Sequence, residues 1–135
     1  MNDKIDPEGL ELVKDMLSPE AAEAMVNMPA DEFAREIGIL SINNVFGPLW
    51  TREGLSRRDR SLITVAALVA TRATHELQYH FPIAIKNGVT REELEELLYH
   101  LTGYVGFPPV ASARQLAVQI LDRKVAEEKS DTILK

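Results

Sequence analysis

Three histidines, His75, His80 and His100, fall in a stretch that also holds Glu76, Tyr79 and Tyr104, and proton-transfer chemistry is densest here. His75 and His80 are five residues apart. On an ideal helix that is about 140° of rotation, whereas the two-histidine zinc motif needs a spacing of four to aim both rings at one ion. No metal is expected unless His100 or an acid from another segment converges. Glu76 and His80, by contrast, are one helical turn apart and share a face. A carboxylate beside an imidazole can fix its tautomer and raise its pKa, giving a group that moves a proton near neutral pH. The same spacing also describes an ordinary exposed ion pair, so spacing alone does not decide. His100, on the next predicted helix, is by itself more in keeping with a surface or core histidine.

A reacting anion would need a cationic partner. Arg52, Arg57, Arg58 and Arg60 are the candidates. A guanidinium binds a carboxylate in a two-pronged way, although arginines in such a run ordinarily form a solvated face. Phe46, Leu49, Trp50, Phe107 and Pro108 lie at two breaks in the chain, where aromatic residues serve as core, as interface or as the wall of a ligand pocket.

The composition removes other classes of function. The 135 residues contain no cysteine, which excludes disulfides, thiolate metal sites, cysteine nucleophiles and dithiol redox chemistry within this polypeptide. A net charge of -6 gives no positive field for nucleic acid or an anionic membrane. The acidic start, without a basic flank and an apolar stretch behind it, does not read as a signal peptide. The longest apolar run, Leu62 to Ala70, falls well short of a membrane span. The expectation is a cytoplasmic protein of one domain, residues 1–135, with two helices in 1–30 and a charged tail that frays over 123–135.

The elements that position these residues are helices throughout, since no segment shows strand alternation between turn residues. The first is expected from Glu8 to Leu17, and Ser18-Pro19-Glu20 opens a second through about Val26. Asp31 is expected to cap a third, with Phe33, Ile37, Leu40 and Val45 on its apolar face and Gly47-Pro48 at its end. A buried central helix follows over Ser56 to Arg72, opened by a capping box of Ser56 and Asp59. Thr74 is the expected cap of the helix carrying His75 to Lys86, with Asn87-Gly88 as its stop. Pro82 lies inside that helix and predicts a kink, which can also open a pocket beside His80. Thr90 and Glu93 form another capping box, for a helix through about Tyr104. Pro108-Pro109 then breaks the chain, and the last helix spans Val110 to about Ala126.

These residues carry a family resemblance. The stretch Phe46-Gly47-Pro48-Leu49-Trp50-Thr51-Arg52-Glu53-Gly54-Leu55-Ser56-Arg57-Arg58-Asp59-Arg60-Ser61-Leu62-Ile63-Thr64, then His75-Glu76-Leu77, His80 and Asn87-Gly88-Val89-Thr90, closely resembles the carboxymuconolactone decarboxylase family. The match continues through His100, Tyr104, Gly106 and Pro108. What the resemblance implies is an all-α, multi-helix fold of the alkylhydroperoxidase-D-like kind, assembled as a homotrimer or homohexamer with active sites near subunit contacts. Where the family's peroxidase branch carries a Cys-x-x-Cys pair and an upstream glutamate, this chain has Ala73, Glu76 and Ser61. It is more similar to the decarboxylase branch.

That branch implies decarboxylation of a small carboxylated lactone or related oxo acid with no cofactor. The resemblance casts His80 as general acid, Glu76 as the group that orients it, and His75 or His100 as a hydrogen-bond donor to substrate. Arg52 then stands as an anion anchor, and Trp50, Tyr104 and Phe107 as contacts to the substrate. The second proline of Phe107-Pro108-Pro109-Val110 and Gly103 before Tyr104 depart from the usual family pattern and put the substrate's identity in question. A noncatalytic small-molecule-binding protein on the same scaffold is the alternative, and a redox protein is least favoured without cysteine.

Overall fold

The structure, a computed structural model, describes residues 4–133, and these contain helices and turns with no strand. The chain divides into two compact units, which meet in sequence at Arg57 and Arg58.

The first unit opens with α1 (Pro7–Met16) and α2 (Pro19–Val26). Each is started by a side chain ahead of a first-turn proline. Asp6 Oδ1 accepts from the backbone N–H of Glu8 at 3.0 Å, and Ser18 Oγ accepts from that of Ala21 at 3.0 Å. These caps satisfy donors that a helix start otherwise leaves orphaned.

The expected helix capped at Asp31 does not form. The chain from Met28 to Glu36 turns instead, Ala34 takes a left-handed φ of 53°, and Phe33 is 94% exposed. A left-handed residue cannot continue a right-handed helix, so α3 (Ile37–Ser41) begins only after it. A π-helical turn, Ile42–Phe46, follows, closed by Gly47 N–H donating to Ile42 O at 2.8 Å. That wider turn alters the helical phase. Ile39 and Ile42 are buried, while Ile37, Leu40 and Val45 of the expected apolar face are exposed. Asn43 ties this turn to the segment before α1, accepting from Asp6 N–H at 2.7 Å and donating to Lys4 O at 2.8 Å. Val13, Ala22 and Ile42 form the unit's small core.

The second unit holds α4 (Arg57–Ala70, whose first residue closes unit one), α5 (Thr74–Lys86), α6 (Arg91–Val105) and α7 (Phe107–Ile133). One larger core gathers Val65 and Val69 of α4, Leu77 and Phe81 of α5, Leu94 and Leu98 of α6, and Val110, Ala113 and Ala117 of α7. α7 packs against both α5 and α6. The central helix α4 is buried along one face only: Ser61, Val65 and Val69 are inside, but Ile63 is exposed.

Several boundaries differ from expectation. Thr74 is the first residue of α5 and not its cap; Ala73 holds that position without a side-chain hydrogen bond. Asn87 and Gly88, with φ 99° at the glycine, end α5 as the sequence suggests, and the capping box of Thr90 and Glu93 is present at 3.1 Å in both directions. Pro108 and Pro109 do not break the chain. They lie in the first turn of α7, where a missing N–H costs nothing, and the turn is made by Gly106 at φ 85°. α7 then runs through Ile133, well beyond Ala126.

Candidate functional site

α5 carries the candidate proton-transfer residues. Its buried side is set by Leu77, Phe81, Ile83 and Ala84, and the helix continues through Pro82. His80 lies next to Phe81 and is half-buried, with Nδ1 shielded from solvent. Glu76, one turn earlier, is exposed. Burial pushes the His80 pKa below its ordinary 6.5, because a charged imidazolium loses hydration, and the Glu76 carboxylate pulls in the opposite direction without prevailing. The expected rise in basicity is therefore corrected: desolvation wins, and the ring is mainly neutral at pH 7.

The other candidates are dispersed. His75 is exposed in the first turn of α5, its ring edge-on to Tyr79 at 5.6 Å. His100 is exposed on α6 and lies 4.9 Å from the ring of Tyr104, itself 76% exposed. Phe107 is 73% exposed at the start of α7. Trp50 and Arg52 belong to the first unit; Trp50 is 7% exposed with its ring 6.3 Å from that of Phe46, and Arg52 is exposed. Two of the alternative arginines are engaged by acids. Arg57 bonds Asp15 at 2.6 Å, and Arg58 bonds Asp59 at 3.0 Å and pairs with Glu93 of the α6 capping box.

Grooves lined by described residues mark the second unit. One of about 400 Å³ runs between α6 and α7, with Phe81 and Leu98 in its walls and Phe107 at its edge. A more open one of about 640 Å³ lies between α4 and α6, lined by Leu62, Ile63, Glu92, Glu96 and His100. A third, of mixed polar and apolar lining, passes Gln78, Tyr79, Ile120 and Arg123. None of the three is lined by His75, Glu76 or His80, so these grooves do not unite the histidines. Among the described residues no three His, Asp or Glu side chains gather as a metal-ligand set.

One polar link between Ser61 and Asn87 was not expected from the sequence. Ser61 is fully buried, and its hydroxyl accepts from Asn87 Nδ2 at 3.0 Å, joining the middle of α4 to the C-terminal cap of α5. Ser61, Val65 and Val69 recur every four residues, which is the signal that puts Ser61 on the buried face. Asn87 carries no comparable signal, since asparagine before glycine reads simply as a helix stop.

The family model for the carboxymuconolactone decarboxylase family matches residues 42–119. The chain is 40% identical over 85 residues to the 4-carboxymuconolactone decarboxylase of Acinetobacter baylyi, covering 62% of this chain and 63% of that protein. It is 36% identical over 106 residues to the nitrosuccinic acid decarboxylase of Metarhizium robertsii, covering 78% of this chain and 73% of that one. An uncharacterised 15.0 kDa protein of Paracoccus denitrificans is 31% identical over 88 residues, 64% of this chain and 63% of its own length. The matched segment therefore spans somewhat under two thirds of the Acinetobacter relative.

Proposed function

This chain belongs to the carboxymuconolactone decarboxylase family, and from that premise we propose that it is a carboxy-lyase acting on a small carboxylated lactone or related acid. The observation that carries the reading is the half-buried His80 with Glu76 one turn away, on the helix the family model spans.

The substrates named for the two decarboxylase relatives share a chemical feature. Each has a carboxylate placed so that the electrons left behind by carbon dioxide can spread, into a lactone carbonyl system in one and a nitro group in the other. The substrate supplies its own electron sink. The C–C bond to the carboxylate breaks, the pair delocalises onto oxygen, and a proton is then added to carbon. Protein groups orient the carboxylate, stabilise the developing oxyanion and deliver that proton.

His80 is the proton donor in this scheme, regaining its proton from water after each turnover. Burial lowers the population of imidazolium, and Glu76 offsets part of that loss. His75, in the first turn of the same helix, donates a hydrogen bond to the substrate. His100 is the weaker candidate, because it lies exposed beside Tyr104 in a separate groove. The protein acts as a homotrimer or homohexamer. Supporting assembly, the segment from Ile37 to Thr51 contains no charged residue yet exposes Ile37, Leu40, Val45 and Leu49, a composition suited to burial against protein.

The test is incubation with 4-carboxymuconolactone and, separately, nitrosuccinic acid, while carbon dioxide release is followed. Release from either with saturation kinetics is the expected result. A second reading, a noncatalytic binding protein, is favoured by the exposure of Glu76 and predicts saturable binding of these compounds with no carbon dioxide formed.

A further inference from the structure

The groove between α6 and α7 has a feature that the proposed reaction does not use. Its floor is apolar, built from Phe81, Leu94, Leu98, Val110 and Ala117, all buried core residues. Two arginines stand on its walls, and they differ. Arg91 is neutralised, bonding Asp122 at 2.9 Å and lying 3.9 Å from Glu95. Arg114, exposed on α7, has no hydrogen-bond or ion-pair partner among the described residues. An arginine left without a counter-charge beside an apolar channel of about 400 Å³ is complementary to a molecule with an apolar body and one anionic end.

We propose that the α6–α7 groove is a binding site for an aliphatic or aryl monocarboxylate, with Arg114 pairing its carboxylate and the core residues receiving its apolar body. The dimensions agree. Seven residues of helix separate Arg114 from Phe107 in one direction and from Leu121 in the other. That is about 10 Å each way, the length of an extended medium-length acyl chain.

The charge also argues against a second copy of the chain as occupant. Arg114 lies midway along the groove-facing stripe of α7 from Phe107 to Leu121. Two such stripes paired antiparallel about a two-fold axis would bring two uncompensated guanidinium groups together, which is unfavourable. A carboxylate supplies the missing charge.

Titration calorimetry of the intact protein with sodium octanoate, and with 1-octanol as an uncharged control, tests this. Saturable octanoate binding is expected, tighter than that of octanol. Arg114→Gln should weaken octanoate about tenfold, as expected for loss of a charged hydrogen bond, and leave octanol unchanged. Ala111→Trp, which fills the groove from an exposed position, should abolish both while helical content is retained. Absence of saturable octanoate binding, or equal affinity for octanoate in the Arg114→Gln variant, would overturn the proposal. So would self-association in sedimentation velocity that Ala111→Trp dissolves, since the groove would then be a protein interface. The readout is binding, so failure here is separate from failure of the decarboxylase reading.

Discussion

Helix α5, of 13 residues, carries His75 and His80, and helix α6, of 15, carries His100; the second unit treats His80 and His100 differently. On α5, Leu77, Phe81 and Ala84 turn inward, and His80 is carried partly inside with them. On α6, Leu94 and Leu98 face the core and His100 is left outside, against Tyr104. The residue type is the same, but His80 is partly enclosed, and burial penalises its charged form. Helix phase relative to the core, more than the presence of histidine, decides which ring is partly enclosed.

The largest effect that would sharpen this contrast comes from His80→Gln. Carbon dioxide release from the accepted substrate should fall by about 100- to 10,000-fold, the range for loss of a positioned acid, with helical circular dichroism unchanged. Full activity in that variant removes His80 from the mechanism. Phe81→Ala, at the neighbouring core position, should cost about 3–5 kcal/mol of stability through the cavity it leaves, read by urea denaturation. A loss under about 1 kcal/mol would mean that α5 is not anchored as described.

Smaller effects follow on the exposed partners. Glu76→Gln should lower the rate at neutral pH by about two- to fivefold, because a solvent-screened carboxylate supports the imidazolium only modestly. His100→Gln should change it by less than about twofold, as for an exposed residue outside the chemistry. A larger effect at His100 than at Glu76 would reverse the comparison.

The pH dependence of stability reports on the His80 ring. With the folded pKa of His80 below 6.5, the unfolded chain binds more protons between that depressed value and 6.5. The contribution is present above 6.5 and is lost as pH falls toward the folded value. In His80→Gln, the decline in melting temperature over roughly pH 7 to 5 should be shallower than in the parent chain.

Much of the second unit was readable from local signals. Gly88 and the Thr90/Glu93 capping box have strict local geometry, so the end of α5 and start of α6 follow from a few adjacent residues. The first unit was less legible. The left-handed turn at Ala34 has no glycine to announce it, and the π-helical turn at Ile42–Phe46 shifts the apolar phase in a way that 3.6-residue periodicity cannot foresee. At the site, spacing placed Glu76 and His80 on one face, but the balance between burial and charge depends on which neighbours enclose the ring. The groove beside Arg114 is built from residues of three helices and has no signature in any one of them.

The most direct measurement is an NMR pH titration of the His80 imidazole in the intact protein, repeated in Glu76→Gln. The ring should titrate below 6.5 in the parent chain and lower still once the carboxylate is gone. A midpoint at or above 6.5, or one that Glu76→Gln leaves in place, would contradict a buried imidazole steadied by its neighbour one turn away.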